Sequence, residues 1–226
     1  MRLVYGSALA LAIASLVPLT TAAQDANRTV AGGGITAKGW QGKADGTGQV
    51  SEAKLSEEGK DLHVVTGPAI TYWNPANKAA GNYTVKATFT EPKYMNLNNH
   101  PHPYGIVIAG NDLGTDQQSY LYCAAYGDGK FIVRGFGPAS FQMNGRGEPN
   151  EAVAKAAGKD QPVKQEIAMS VKGDKVECAI NGKTVASYDK AALVSAGKLK
   201  STDGVYGIRF AHNTDATVTG LAMTKQ

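Results

Sequence analysis

The chain has no apolar run long enough to cross a bilayer. Its longest, Ala8–Val17, is about 10 residues, half of the roughly 20 that a spanning helix requires, and Pro18 interrupts it. There is no Gly-x-Ser-x-Gly elbow, no Cys/His pairing of a catalytic kind and no loop that would cradle a phosphate; Gly32–Gly34 reads as flexible chain. Lysine is scattered (Lys38, Lys43, Lys54, Lys60, Lys78) with acidic residues between, so the clustered basic face of a nucleic-acid module is missing and no nucleic-acid partner is expected. Cysteine is nearly absent too. Strands do not alternate with helical segments, which excludes a parallel βαβ sheet, and no internal repeat is evident.

What is present begins with MRLVYGSALALAIASLVPLTTAA, in which Arg2 is a short basic region, Ala8–Val17 the apolar core, and Thr21 and Ala23 the small residues of a cleavage site. Residues 1–23 therefore read as a secretory signal peptide, and the mature chain is expected to be periplasmic or secreted, without stable membrane insertion. The formal net charge is +4, and losing Arg2 makes it +3. Residues 24–38 are small and polar and read as a loose N-terminal arm, and 39–226 as one domain of ordinary size for a β-sandwich.

The stretch from His100 to Gly137 organises this domain. It holds three strand-like runs, Tyr104–Ala109, Ser119–Tyr126 and Lys130–Phe136, separated by Gly-, Asn- and Asp-rich turns, the pattern of an antiparallel meander. Earlier, Val50–Ser56 and Asp61–Thr66 suggest a hairpin, and Ala69–Trp73 a strand that Asn74-Pro75 would stop. Tyr83–Thr90 alternates most cleanly, with Tyr83, Val85, Ala87 and Phe89 on one face, and after Glu91-Pro92 a loop is expected over Lys93–Pro103. Later strands are expected at Lys164–Lys172, Lys175–Ile180, Lys183–Tyr188 (after the hairpin pair Asn181-Gly182), Gly204–Ala211 and Ala216–Met223. Within the long interruption Phe141–Asp160, Asn150 is a cap for a helix over Glu151–Ala157 ended by Gly158, and Asp189 a cap for a second through Ser195. About a dozen short strands and two minor helices point to an all-β sandwich of two antiparallel sheets.

The two cysteines, Cys123 and Cys178, lie in predicted strands. Leu121 and Cys123 share one face, as do Val176, Cys178 and Ile180, so both thiols point inward, where they either meet as a disulfide or pack as two small buried hydrophobes.

The segments His102-Pro-Tyr-Gly-Ile-Val-Ile-Ala-Gly-Asn-Asp-Leu, Tyr120-Leu-Tyr, Gly127-Asp-Gly-Lys-Phe-Ile-Val-Arg, Val171-Lys-Gly-Asp-Lys-Val-Glu-Cys-Ala-Ile-Asn-Gly-Lys-Thr-Val and Gly204-Val-Tyr-Gly-Ile-Arg-Phe resemble the concanavalin A-like lectin/glucanase superfamily. The nearest resemblance is to laminin-G-like domains and to the bacterial domain called 3-keto-disaccharide hydrolase, over roughly Thr66 to Met223. It implies a jelly-roll sandwich with a concave, carbohydrate-binding sheet, on which members range from enzymes to binding modules. The glucanases carry Glu-x-Asp-x-Glu or Glu-x-Asp-x-x-Glu on one strand, because nucleophile and acid must stand about 5–5.5 Å apart. This chain has no such run; Glu57, Glu58 and Asp61, and Asp112 and Asp116, fall in turn-like segments, and no catalytic residue is assigned.

Parity gives the candidate site. With Leu121, Cys123 and Ala125 inward, Tyr120, Tyr122, Ala124 and Tyr126 point outward, and with Phe131 and Val133 inward, Ile132 and Arg134 stand beside them. Tyrosine rings suit sugar faces and Arg134 suits hydroxyls or a uronate. Trp73 and His102 complete the expected ligand-binding set of Trp73, His102, Tyr120, Tyr122 and Arg134. Alternatively these aromatics form a second small core under the Phe141–Asp160 excursion. His100-Pro-His102 lacks the spacing of established zinc motifs and reads as a loop that hydrogen-bonds the next strand; Asn111, Asp112 and Asp116 lack a calcium-loop signature. No metal and no cofactor is expected. The expected function is binding of a carbohydrate or related polar ligand, with a glycoside-processing enzyme or an envelope protein-interaction module as alternatives.

Overall fold

The computed structural model describes residues 26–31 and 33–226, and the signal peptide expected over 1–23 lies outside them. In chain order the strands are β1 (Gly34–Ile35), β2 (Gln41–Ala44), β3 (Ala53–Glu58), β4 (Asp61–Thr66), β5 (Ile70–Ala79), β6 (Tyr83–Glu91), β7 (Tyr104–Asn111), β8 (Ser119–Ala125), β9 (Lys130–Phe136), β10 (Ser140–Gln142), β11 (Glu148–Pro149), β12 (Val163–Lys172), β13 (Lys175–Ile180), β14 (Lys183–Asp189), β15 (Gly204–Phe210) and β16 (Asp215–Lys225). One short helix, α1 (Lys190–Leu193), and a 3-10 turn at Val50–Glu52 are added. They form two sheets. The first runs β1-β3-β4-β16-β6-β12-β13-β14; the second runs β10-β9-β8-β7-β15-β5-β2, with β11 also on β9. Pairing is antiparallel except between β1 and β3.

Alternation explains this arrangement. On β6, Tyr83, Val85, Ala87, Phe89 and Glu91 are buried while the residues between them are exposed or half-buried, so one face of the first sheet packs and the other is wet. The inward faces of both sheets form one core, in which Phe89 of the first sheet stacks on Tyr104 of the second at 5.5 Å between ring centroids. Cys123 on β8 and Cys178 on β13 are joined through this core as a disulfide, Cα to Cα 6.2 Å. Asn181 and Gly182 both take positive φ (50° and 80°), the conformation that a tight β13–β14 hairpin demands.

Four local expectations are corrected. The helix over Glu151–Ala157 does not form, because its backbone groups are taken from outside: Gln165, an inward residue of β12, accepts from Ala154 N–H (3.0 Å) and donates to Ala154 C=O (2.8 Å), and Ala156 N–H bonds Gly127 C=O. Asn150 does cap, but it caps a turn, accepting from Ala152 N–H at 2.9 Å. Asn74-Pro75 does not stop β5, which continues to Ala79. β2 pairs only with Ile70–Trp73, and the register with β15 shifts between Val205 and Gly207, so Pro75 falls where no ladder donor is called for. The expected arm is partly tied down: β1 pairs with β3, and Arg28 N–H donates to Asn213 Oδ1 at 2.8 Å. The second expected helix forms only as the four residues of α1, ending at Leu193 short of Ser195, and Asp189 at its N-cap makes no side-chain cap hydrogen bond.

Candidate functional site

The outer face of the second sheet carries a second apolar cluster, Val107, Tyr120, Tyr122, Ala124 and Ile132, flanked by Leu113, Tyr126 and Phe136. β7 and β8 are therefore buried along almost their whole length, in contrast to the one-sided strands of the first sheet. At the centre of this face lies Arg209, outward on β15 between inward Ile208 and Phe210, and 7% exposed. A buried guanidinium needs a partner for its charge and acceptors for its N–H groups. Asp45, in the turn after β2, takes both Nη atoms in a two-pronged ion pair, while Nη1 also donates to Thr71 Oγ1 (2.7 Å) and Tyr120 Oη (3.3 Å). The plane lies 5.0 Å from the ring centre of Tyr122 and 5.1 Å from that of Phe136, within cation–π range. Burial works against the charge, but Tyr120, Asp45 and Tyr122 outweigh it and hold the arginine pKa above its ordinary value. Burial pushes the Tyr120 hydroxyl up to about 12, although Arg209 and the Thr71 hydrogen bond pull the other way.

Two adjoining hollows open over this network, of about 150 and 190 Å³, and Tyr122, Arg134 and Arg209 line both. One extends along Pro103, Ala211 and Ile132; the other runs under Phe136, Phe141 and Gln142 to Asp45. Arg134 donates weakly from Nη2 to Gly145 C=O (3.4 Å), and its Nε is buried with no hydrogen-bond partner among the described residues. The cleft thus holds one compensated cation, Arg209 with Asp45, and one arginine with donor capacity to spare.

No protein-family model and no curated protein sequence matches the chain. Solved structures do match. A Bacillus subtilis protein of unknown function with a galectin-like fold aligns with a TM-score of 0.56 and 12% identity over 82% of this chain and 89% of that one. The carbohydrate-binding module CBM66 from Bacillus subtilis aligns with 0.50 and 8% over 84% and 98%, and the exoplasmic/lumenal domain of VIP36, in a form bound to Ca2+ and Man3GlcNAc, with 0.50 and 10% over 83% and 84%. These likenesses show the fold, a jelly-roll β-sandwich of two antiparallel sheets.

On this scaffold the five residues expected to bind ligand separate. Arg134 and Tyr122 line the cleft. Tyr120 faces the same way but is 1% exposed, stacked on Phe136 at 4.9 Å and hydrogen-bonded behind Arg209, so it supports the cleft wall. Trp73 is on the same sheet under the turn at Gly114, outside both hollows. His102 lies just beyond the cleft, one residue before Pro103, beside His100 and His212. Burial, and the neighbouring His212 and His100, lower its pKa to about 3. Asp112 and Asp116 are engaged by Lys200 and Lys43.

Arg209 and Asp45 were not among the expected residues. The alternation of Gly204-Val-Tyr-Gly-Ile-Arg-Phe places Arg209 outward and could have marked it; nothing local marks Asp45. A wider hollow of about 410 Å³ lies elsewhere, lined by Trp40, Asn74, Asn77 and Leu221 among others, but none of its polar side chains is buried without a partner among the described residues.

Proposed function

We propose that the chain is an exported, non-catalytic module that binds a carbohydrate or related polar ligand in the cleft of the second sheet, with Arg134 as its principal donor. The observation that carries this reading is the buried Arg134 Nε, which lacks a partner among the described residues and lies in a cleft walled by Tyr122 and by the Arg209–Asp45 pair. A desolvated donor left unmade is costly, and a ligand hydroxyl or carboxylate would satisfy it. Hollows of 150 and 190 Å³ are smaller than the roughly 300–1,000 Å³ of sites that enclose drug-sized ligands. They suit a sugar ring or two presented from the end of a chain. That structural neighbours include a carbohydrate-binding module and a domain bound to Man3GlcNAc supports the ligand class. Export is supported by the signal-like N-terminus and by the disulfide, a bond that persists in oxidising compartments.

Among the described residues lining the cleft Asp45 is the one carboxylate, and Arg209 holds it. Glycoside hydrolysis by paired carboxylates needs two. This favours binding over an activity of the 3-keto-disaccharide hydrolase type.

The test is a glycan array carrying neutral and uronate-terminated glycans, followed by calorimetric titration of the best hit. Arg134→Ala should weaken binding by at least about tenfold, or ~1.4 kcal/mol, with the melting temperature nearly unchanged. Turnover of the bound glycan would replace the binding reading with the enzymatic one. A blank array, or a hit indifferent to Arg134, would overturn the cleft and favour a protein partner.

A further inference from the structure

We propose that His100, His102 and His212 form a binding site for a divalent transition metal of the zinc class. The chain has four histidines, and three meet here. Ring centroids lie 4.4 Å apart for His100 and His102, 3.8 Å for His102 and His212, and 6.3 Å for His100 and His212. One ring nitrogen from each lies within 4.8 Å of the others.

The scaffold places them together. β7 pairs antiparallel with β15, Tyr104 opposite Phe210, and the pairing continues outward through the hydrogen bond from Ala211 N–H to Pro103 C=O at 2.9 Å. The next pair outward is His102 and His212, so these two imidazoles are neighbours across the ladder. Pro101 and Pro103 flank His102 and restrict the loop that also carries His100. The chain after His212 is held by Asn213, at φ 53°, whose N–H donates to Gly67 C=O and whose side chain bonds Arg28 N–H and Ala26 C=O. Both arms of the site thus rest on anchored backbone.

His102 Nε2 is buried with no hydrogen-bond partner among the described residues, and the three imidazoles converge there. A bound cation would satisfy that nitrogen and favour the mutual approach of the rings. With metal–nitrogen bonds of about 2.0–2.1 Å, ligand nitrogens in a tetrahedral site stand roughly 3.4 Å apart, so closure asks for a shift on the order of an ångström, within reach of side-chain rotation. An all-imidazole set excludes calcium and magnesium, which take oxygen ligands, and suits zinc, copper or nickel. Three protein ligands leave a fourth position for water. Pro103 and Ala211, next to two of the ligands, also line the cleft, so the metal would sit at its end.

The site is tested by titrating the chelator-stripped protein with Zn2+ in a calorimeter and with Co2+ by its visible ligand-field absorption. One equivalent should bind, with the four-coordinate Co2+ spectrum and displacement of Co2+ by Zn2+. His102→Ala and His100→Ala should each weaken binding by roughly 100-fold or more. His63→Ala should leave it unchanged, because His63 pairs with Glu58 and Asp215 outside the cluster. His100 is exposed, so its variant decides the matter if His102→Ala does not fold. Absence of stoichiometric binding, or affinity unaltered by His100→Ala, overturns the proposal. The titration reads no sugar, so its outcome is independent of the carbohydrate reading.

Discussion

Glu91 occupies the last inward position of β6, after Tyr83, Val85, Ala87 and Phe89, and is 6% exposed. Its Oε1 accepts from Met95 N–H at 3.3 Å, while Oε2 has no partner among the described residues. Burial pushes its carboxyl up to about 7; the Met95 hydrogen bond opposes this and the charge of Asp215 adds to it. An unfolded glutamate titrates near 4.3, so between about pH 4.3 and 7 the folded state keeps a proton that the unfolded state has released. Stability should therefore fall as pH rises through that window and stay level above it. Glu91→Gln keeps the acceptor for Met95 and removes the penalty, so it should exceed the parent at pH 8 by on the order of 3 kcal/mol and match it at pH 4. Urea unfolding at both values checks this, and a variant no more stable than the parent at pH 8 sinks it. The strand expected over Tyr83–Thr90 stops one residue short of Glu91, although the alternation, carried one step further, turns Glu91 inward. Parity likewise placed Tyr120 and Tyr122 on the outer face correctly. How deeply each is covered depends on Arg209, Phe136 and the chain after β9, which no local pattern encodes. His212 is the extreme case: its nearness to His102 follows from β7–β15 register alone.

At the scale of elements, β9 closes the cleft side of the second sheet through an irregular edge. β10 pairs with Arg134–Phe136 and β11 with Lys130–Phe131, leaving a gap between them. Asn144 fills it: its side-chain oxygen accepts from Val133 N–H (2.7 Å) and its amide donates to Phe131 C=O (3.3 Å), both buried. The same segment brings Phe141 across Gly135, where any Cβ would collide with the ring, and so builds the wall of one hollow. Asn144→Ala leaves a buried N–H and C=O unmet, and should cost about 2 kcal/mol and loosen this wall. Amide exchange at Val133 should rise well above that at Leu121 on the adjoining strand; equal protection at both would refute the role. Regular strands were legible because alternation of period two reports burial directly. The segment from 140 to 160 was not. Asn150 followed by Glu151–Ala157 has a helix's local grammar, yet Gln165, on the next strand, claims the backbone of Ala154, and Val153 lies in the core.

For the molecule as a whole, the Cys123–Cys178 bond is the covalent link between the two sheets, running from β8 to β13 through the shared core. Face parity on the two strands brought both thiols inward, which made a bridge legible as one of two outcomes. The distance between sheets, which decides it, is a property of the packed core. The bond closes 55 residues of sequence, and in the chain-entropy view such a loop restricts the unfolded ensemble by about 4 kcal/mol. The core itself is extensive, with aromatic contacts among Phe89, Tyr104 and Phe210 made without the bond. Cys123→Ala/Cys178→Ala should therefore keep its near-ultraviolet circular dichroism while losing roughly that 4 kcal/mol in guanidinium unfolding. The parent should lose a comparable amount when reductant is added, and the double variant nothing. Thiol titration of the denatured, unreduced parent should find no free sulfhydryl. Two titratable thiols, or a double variant as stable as the oxidised parent, would mean that packing alone holds the sheets together.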